Sequence, residues 1–230
     1  MEEVRQRYRE VLGRIRAAAE RSGRNPAEVR LLAVSKTVPA ERVAALQTMA
    51  PVLLGENRVQ EAQHKQPLLP GRDVFQWHLI GHLQTNKANR AAELFDWVHS
   101  VDRADLLVRL DRRCQELGKQ LPVLLEVNLA GEESKSGCLE VELPSLLEAA
   151  AALRHVVVRG FMAVPPYRDN PEEVRPFFRR LREIRDRMQS CCDPALRLRE
   201  LSMGMSHDFE VAIQEGATFV RVGTAIFGPR

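Results

Sequence analysis

Residues Leu31 to Val38 read LLAVSKTV, an apolar, partly β-branched run that delivers Lys36 into a turn at Thr37-Val38-Pro39. A buried strand ending in a cation at the mouth of a turn is where α/β folds keep their chemistry. The choice of cation is informative. Lys plus Arg total 34, of which five are lysines (36, 65, 87, 119 and 135) and 29 are arginines. Where charge alone is needed this chain uses Arg, so a strand-end lysine suggests work for a neutral amine, such as a Schiff base with a carbonyl. Two later stretches offer complementary chemistry. In Met203-Gly204-Met205-Ser206 and in Gly223-Thr224, glycines permit close backbone approach, and the hydroxyls of Ser206 and Thr224 sit beside predicted helix starts that favour anions. Each alone reads as a turn glycine or a cap; jointly they read as a seat for phosphate. Arg221 shares a strand face with Gly223, and if that face points inward it needs an anion or an acceptor. A salt bridge to Glu126 or Asp208 would also meet that need.

The elements that must position these groups alternate along the chain. Val4, Tyr8, Val11 and Ile15 recur at helical spacing, predicting an amphipathic helix over 2–22 that stops at Ser22-Gly23. Strands are predicted at about 29–36, 51–55, 76–80, 97–101, 122–129, 156–164, 201–204 and 218–223. Helices are predicted between them, including 85–94 with Thr85 as N-cap, 102–117 with Leu106, Leu107, Leu110 and Leu117 facing inward, and 171–190. A Gly/Ser/Lys loop runs from Gly131 to Gly137. Eight strand–helix units without a linker or composition break predict one domain, residues 1–230, as a closed (β/α)8 barrel with an extra N-terminal helix. A doubly wound open sheet competes, but the first strand is not followed by G-x-G-x-x-G. In a barrel, catalytic groups sit at the C-terminal strand ends and phosphate commonly binds after strands seven and eight, so Lys36, Asn57, Ser206 and Gly223 would share one face.

Composition narrows the class. Apolar residues at 44% and charged residues at 28% describe a soluble globular chain, and apolar runs stay at strand length. The N-terminus MEEVRQRYREVLGRI has no apolar core for a signal peptide, and four cysteines lack metal spacing, so a reducing cytoplasm is expected. The six histidines form no i, i+4 pair with a third carboxylate ligand, so no metal is expected. A net charge of +3 does not argue for nucleic acid, and the arginines of 171–190 are interleaved with acids as on a solvated helix face. A lysine able to form an aldimine, with a phosphate cradle across the same mouth, describes pyridoxal 5′-phosphate (PLP). An Arg beside the pyridine nitrogen would leave it unprotonated and weaken the ring as an electron sink.

The stretches AVSKTVP, GENRVQE, WHLIGHLQTNK, HSVDR, EVNLAGEESKSG, RGFMAVPP, LSMGMSHDFEVAI and FVRVGTAIFG follow one another from Val34 to Gly228. Together they resemble the pyridoxal phosphate homeostasis protein family, which is similar to the barrel domain of alanine racemase (PLP fold type III). The resemblance implies that Lys36 holds PLP as an aldimine, and that Ser206, Gly223 and Thr224, with the backbone of Met203, Gly204 and Met205, surround the phosphate. It further implies that Arg221 faces the pyridine nitrogen and that Asn57, His78 and Met162 line the pocket. The implied role is storage, buffering or delivery of PLP without established catalysis, with apo PLP-dependent enzymes as partners, no nucleic acid, no membrane, and a monomeric state. Met49-Ala50-Pro51 stands where the family usually has a glycine-containing turn.

The competing reading is an amino-acid racemase of the alanine racemase type. Racemisation needs proton donors on both faces of the cofactor, and alanine racemases take a tyrosine from a second domain of the partner subunit. Here the tyrosines are Tyr8, in the first helix, and Tyr167, after strand six, and the sequence ends soon after strand eight. A carrier needs only the site that the motifs supply, and is the expectation.

Overall fold

The computed structural model describes residues 1–132 and 135–229; Glu133 and Ser134 of the Gly131–Gly137 loop, and Arg230, lie outside the described residues. Eight strands form a closed, all-parallel barrel in sequence order. They are β1 (Arg30–Val34), β2 (Val52–Glu56), β3 (Phe75–Leu79), β4 (Trp97–Val101), β5 (Leu121–Glu126), β6 (Val156–Met162), β7 (Glu200–Met205) and β8 (Phe219–Val222). Helix α1 (Glu2–Arg21) precedes the barrel, and each strand is followed by a helix. These are α2 (Ala40–Val43), α3 (Val59–Lys65), α4 (Ala88–Leu94), α5 (Ala104–Glu116), α6 (Leu143–Ala151), α7 (Arg175–Cys191), α8 (Phe209–Gln214) and α9 (Thr224–Phe227). The expected (β/α)8 fold is therefore the observed one, with every strand C-terminus on one face.

Two cores follow from strand alternation, because residues in register across a parallel ladder share a face. The outward set includes Leu31, Ala33, Leu54, Leu79, Val98, Val123, Leu125, Phe161, Leu201, Val220 and Val222, all buried in one core with the helices. The inward set is traced by the register pairs Leu32–Arg221, Gly55–His78, His78–Trp97, Glu126–Met162, Met162–Ser202 and Ser202–Phe219. That interior is unusually polar for a barrel, and the site stands on it.

Helix α1 packs on α8 and α9, beside the seam where β8 meets β1. Its buried side chains are Val4, Tyr8, Val11, Ile15, Ala18 and Ala19, and each large one contributes up to about 1.5–3 kcal/mol by burial. The helix ends where Gly23 takes φ 67°. Leu106, Leu107 and Leu110 of α5 are buried as expected, but Leu117 lies one residue past the helix and is exposed. Thr85 caps nothing: Gln84 occupies the N-cap of the short turn before α4, and Thr85 Oγ1 instead accepts from Arg103 at 2.7 Å. Two glycines let strands and turns close up. A Cβ on Gly160 (φ 151°) would lie 1.9 Å from the Glu200 carbonyl oxygen, and one on Gly81 would lie 2.3 Å from the carbonyl oxygen of Asn57.

Candidate functional site

Lys36 stands two residues beyond β1, half-buried, in a turn closed by Val38 N–H donating to Ser35 O at 3.0 Å. The next residue, Thr37, takes φ 62°, a left-handed conformation that a β-branched residue rarely accepts. The turn is held by charges from β2 and α3. Lys65 Nζ donates to Ser35 O (2.6 Å), Glu56 Oε1 (2.9 Å) and Glu61 Oε1 (2.7 Å), Ser35 Oγ donates to Glu56 Oε1 (2.7 Å), and Thr37 N–H donates to Glu61. Ser35 and Glu56 are fully buried. Burial pushes the Glu56 carboxyl upward, opposed by the hydrogen bonds from Lys65 and Ser35. Lys65 therefore fixes the backbone that presents Lys36. Sequence reading missed this clamp: Glu61 and Lys65 show the i, i+4 spacing of an ion pair, but Glu56 and Ser35 join it only through the β1–β2 pairing.

On the other side of β1, the loops after β7 and β8 are tied together by Gly223 N–H donating to Ser206 Oγ at 3.2 Å. Thr224 opens α9 and is exposed, at a helix start whose first N–H groups have no intrahelical acceptor. Gly204 takes φ 88°, and a Cβ there would meet Ala212 Cβ at 2.5 Å, so this glycine serves the packing of the loop on α8. Met205 N–H is taken by Asp208 Oδ1 at 2.6 Å, and the Met203 side chain is buried outward in the helix–sheet core. This face of the barrel thus carries the Ser206 hydroxyl, tied to Gly223, and the exposed Thr224 at the start of α9.

Between these two sides, Arg221 points into the barrel. NH1 donates to Ser202 O (2.7 Å) and Ser202 Oγ (2.8 Å), and NH2 donates to Ala163 O (2.8 Å). Its hydrogen bonds go to these neutral oxygens, while Glu126 and Asp208 act on it through space. Burial lowers its pKa to about 10, which leaves it charged at neutral pH. Met162 and Glu126 are inward register partners nearby, and Glu126 Oε2 is a buried atom without a hydrogen-bond partner. Burial first, then Asp102, pushes the Glu126 carboxyl up to about 7, against the pull of Arg221. Asn57 follows β2 and has its backbone packed under Gly81. His78 is the departure from expectation. It packs on Trp97 and Phe219, the first residues of β4 and β8, and so lies in the lower half of the barrel. It reaches Arg221 through a chain that sequence reading did not find: His78 Nδ1 to His99 Nε2 (2.9 Å), then His99 Nδ1 to Ser202 Oγ (3.0 Å). Burial keeps both rings neutral, holding His78 at about 3 and His99 well below its usual range.

Lys36 after β1, the hydroxyls and helix start after β7 and β8, and the buried Arg221 of β8 thus lie on three adjoining strands of the barrel. Residues 10–230 match the family described as alanine racemase, N-terminal domain. The chain is 46% identical over 225 residues to the pyridoxal phosphate homeostasis protein of Aquifex aeolicus, covering 98% of this chain and 97% of that one. The chain belongs to the pyridoxal phosphate homeostasis protein family. The Pseudomonas aeruginosa member is 45% identical over 230 residues, covering 100% of this chain and 97% of the other. Among solved structures, PipY of Synechococcus elongatus with PLP bound superposes with a TM-score of 0.82 at 42% identity, covering 93% of this chain and 98% of that one. Alanine racemase of Clostridium difficile shares the fold (TM-score 0.74, 13% identity) over 100% of this chain and 57% of its own.

Two outcomes are expected for this family member. Lys65→Met leaves two acids around a buried, uncompensated site and should cost about 3–5 kcal/mol, measured by urea unfolding, with Glu56→Gln in the same chain recovering part of the loss. Equal stability of Lys65→Met and wild type would show that the clamp carries no net stabilisation. The second concerns Glu126, whose pKa rises from 4.5 to about 7 on folding. A raised carboxyl pKa contributes stability that is full below the unfolded value and is lost as pH climbs through the folded value. Glu126→Gln, a mimic of the protonated acid, should therefore raise the melting temperature of the PLP-free protein above about pH 7 and change it little near pH 4.5. Thermal melts across that range check the sign.

Proposed function

We propose that this protein binds PLP through a covalent bond from Lys36 and serves PLP homeostasis by storing, buffering or delivering the cofactor. The observation that carries the reading is the position of Arg221, a buried and still-charged guanidinium between the strand-end lysine and the anion seat. Lys36 would supply the amine that captures the carbonyl, and Ser206, Gly223 and Thr224, with the backbone of residues 203–205, would seat the phosphate. Asn57, Met162 and Glu126 would border the ring, and His78 would support Arg221 from beneath through His99 and Ser202. When bound, PLP offers an aldehyde and an electron-withdrawing ring. Arg221 is held as a cation by fixed hydrogen bonds and would not give the facing nitrogen a proton, which suits retention better than turnover.

The racemase reading needs an acid opposite Lys36. Tyr167 is 66% exposed and its ring lies 5.5 Å from that of His207, an arrangement that favours surface packing over proton transfer. The α7 arginines support an intramolecular role rather than nucleic-acid binding: Arg175, Arg179 and Arg182 converge on Glu215, and Arg180 and Arg187 on Glu140. Apo PLP-dependent enzymes would be the recipients, in the cytoplasm, with the protein acting as a monomer. Among the described residues no helix is long and apolar enough to cross a membrane, and no group of His, Cys, Asp or Glu is arranged to hold a metal ion.

Borohydride reduction of the PLP-loaded protein followed by peptide mapping should label Lys36, and Lys36→Ala should remove the label while leaving the fold intact. A label on Lys87 or Lys135 would overturn the assignment. Ser206→Ala and Thr224→Ala should each weaken PLP retention by about 1.5–3 kcal/mol, one charge-assisted hydrogen bond, and leave pyridoxal retention unchanged. Equal losses for both ligands would mean that these hydroxyls shape the barrel instead of gripping phosphate.

A further inference from the structure

A cavity of about 1000 Å³ opens on the face of the barrel opposite Lys36, at the N-terminal ends of β1, β7 and β8. Five arginines from separate parts of the chain converge on it: Arg24 after α1, Arg30 opening β1, Arg185 on α7, and Arg197 and Arg199 before β7. Its acids are three, and each has a partner. Glu28 lies 3.8 Å from Arg24, Asp186 pairs with Arg185 at 2.5 Å, and Glu200 pairs with Arg30 while accepting from Thr218 Oγ1 at 2.7 Å. Among the described residues, Arg197 and Arg199 are left without a carboxylate, and both line the cavity on either side of the buried Leu198.

Three of the five arginines are anchored in place, while Arg197 and Arg199 are exposed at the rim. Arg24 is fixed by NH1 donating to Ile213 O (2.7 Å) and Ala217 O (2.9 Å), and burial lowers its pKa, with the like charge of Arg185 acting in the same direction. Arg30 lies 3.7 Å over the Phe219 ring, and Arg185 NH1 donates to the Arg199 carbonyl at 3.2 Å. Guanidinium groups gathered around one cavity are favoured by an anion that spans them, and their planar forks match phosphate oxygens. The lining has no aromatic ring for a base to stack on, and the volume exceeds what one phosphate fills.

We infer that this cavity is a second ligand site, distinct from the PLP mouth, that binds a linear oligophosphate through Arg24, Arg185, Arg197 and Arg199. Inorganic tripolyphosphate and ATP share that chemistry and separate its sources. Calorimetric titration of the PLP-loaded protein at constant ionic strength should show saturable binding of tripolyphosphate. Orthophosphate should bind roughly tenfold more weakly or worse, since it spans fewer of the guanidinium forks. The double variant Arg197→Glu, Arg199→Glu changes only exposed side chains and should weaken tripolyphosphate about tenfold or more without shifting the melting temperature. Arg112→Glu, an exposed charge reversal outside the cavity lining, should leave the titration unchanged, and the double variant should keep the borohydride label on Lys36, so a failure here is separable from any failure of the PLP reading. ATP binding as tightly as tripolyphosphate assigns recognition to the phosphate chain, and tighter binding adds the nucleoside to it. Orthophosphate matching tripolyphosphate, no saturation with either, or an unchanged double variant would overturn the inference.

Discussion

A permanently charged side chain inside a barrel constrains everything around it. Moving a guanidinium out of water costs several kcal/mol even after relaxation, unless its hydrogens are met. Arg221 meets this with two carbonyls and one hydroxyl, from Ala163 and Ser202, and with the more distant charges of Glu126 and Asp208. Ser202 must therefore be polar and inward, and its hydroxyl continues to His99 and His78. The barrel axis is consequently a hydrogen-bonded column where apolar branched side chains would be usual. A cation at this depth gives the mouth a fixed electrostatic floor that does not depend on surface side chains.

The same economy shapes the β1 turn. Lys36 has to stand at a strand end in a backbone that Thr37 enters at positive φ, so the turn is held from outside. Lys65, which is 8% exposed, does this by joining two carboxylates to the Ser35 carbonyl. Two lysines thus divide the labour: one is buried and saturated, and the other is set at the open mouth. The 29 arginines elsewhere are engaged largely in surface pairing, as in the cluster of three around Glu215.

The two ends of the barrel differ in kind. The C-terminal end presents hydroxyls, a helix start and one lysine, the groups proposed above to take a phosphate and a carbonyl. The N-terminal end presents guanidinium groups around a wide cavity, with Arg30 stacked on Phe219 where the interior column ends. The chain from Phe219 through His78, His99 and Ser202 to Arg221 is continuous, so the two faces share one packed interior.

The sequence alone determined the fold class, the order of strands and the face on which Lys36, Asn57, Ser206 and Thr224 stand. It could do so because strand alternation and helix period are local, and a barrel converts strand order directly into neighbourhood. The position of Lys36 was legible because lysine is rare in a chain that otherwise uses Arg, and the placing of Ser206, Gly223 and Thr224 on one face because they follow strands seven and eight. Which polar groups meet inside the barrel was decided only by tertiary structure. His78 and His99 carry no mutual spacing signal, since they lie on adjacent strands whose register the sequence does not state. Gly204 looked like a site of close ligand approach, and only the packing of α8 shows that Ala212 fills the space a Cβ would need. Met203 keeps the outward face of Leu201 by simple alternation and packs in the helix–sheet core, while the register shift between β7 and β8 sets Met205 opposite Arg221. Local pattern fixes which way the chain runs; long-range pairing fixes what each side chain touches.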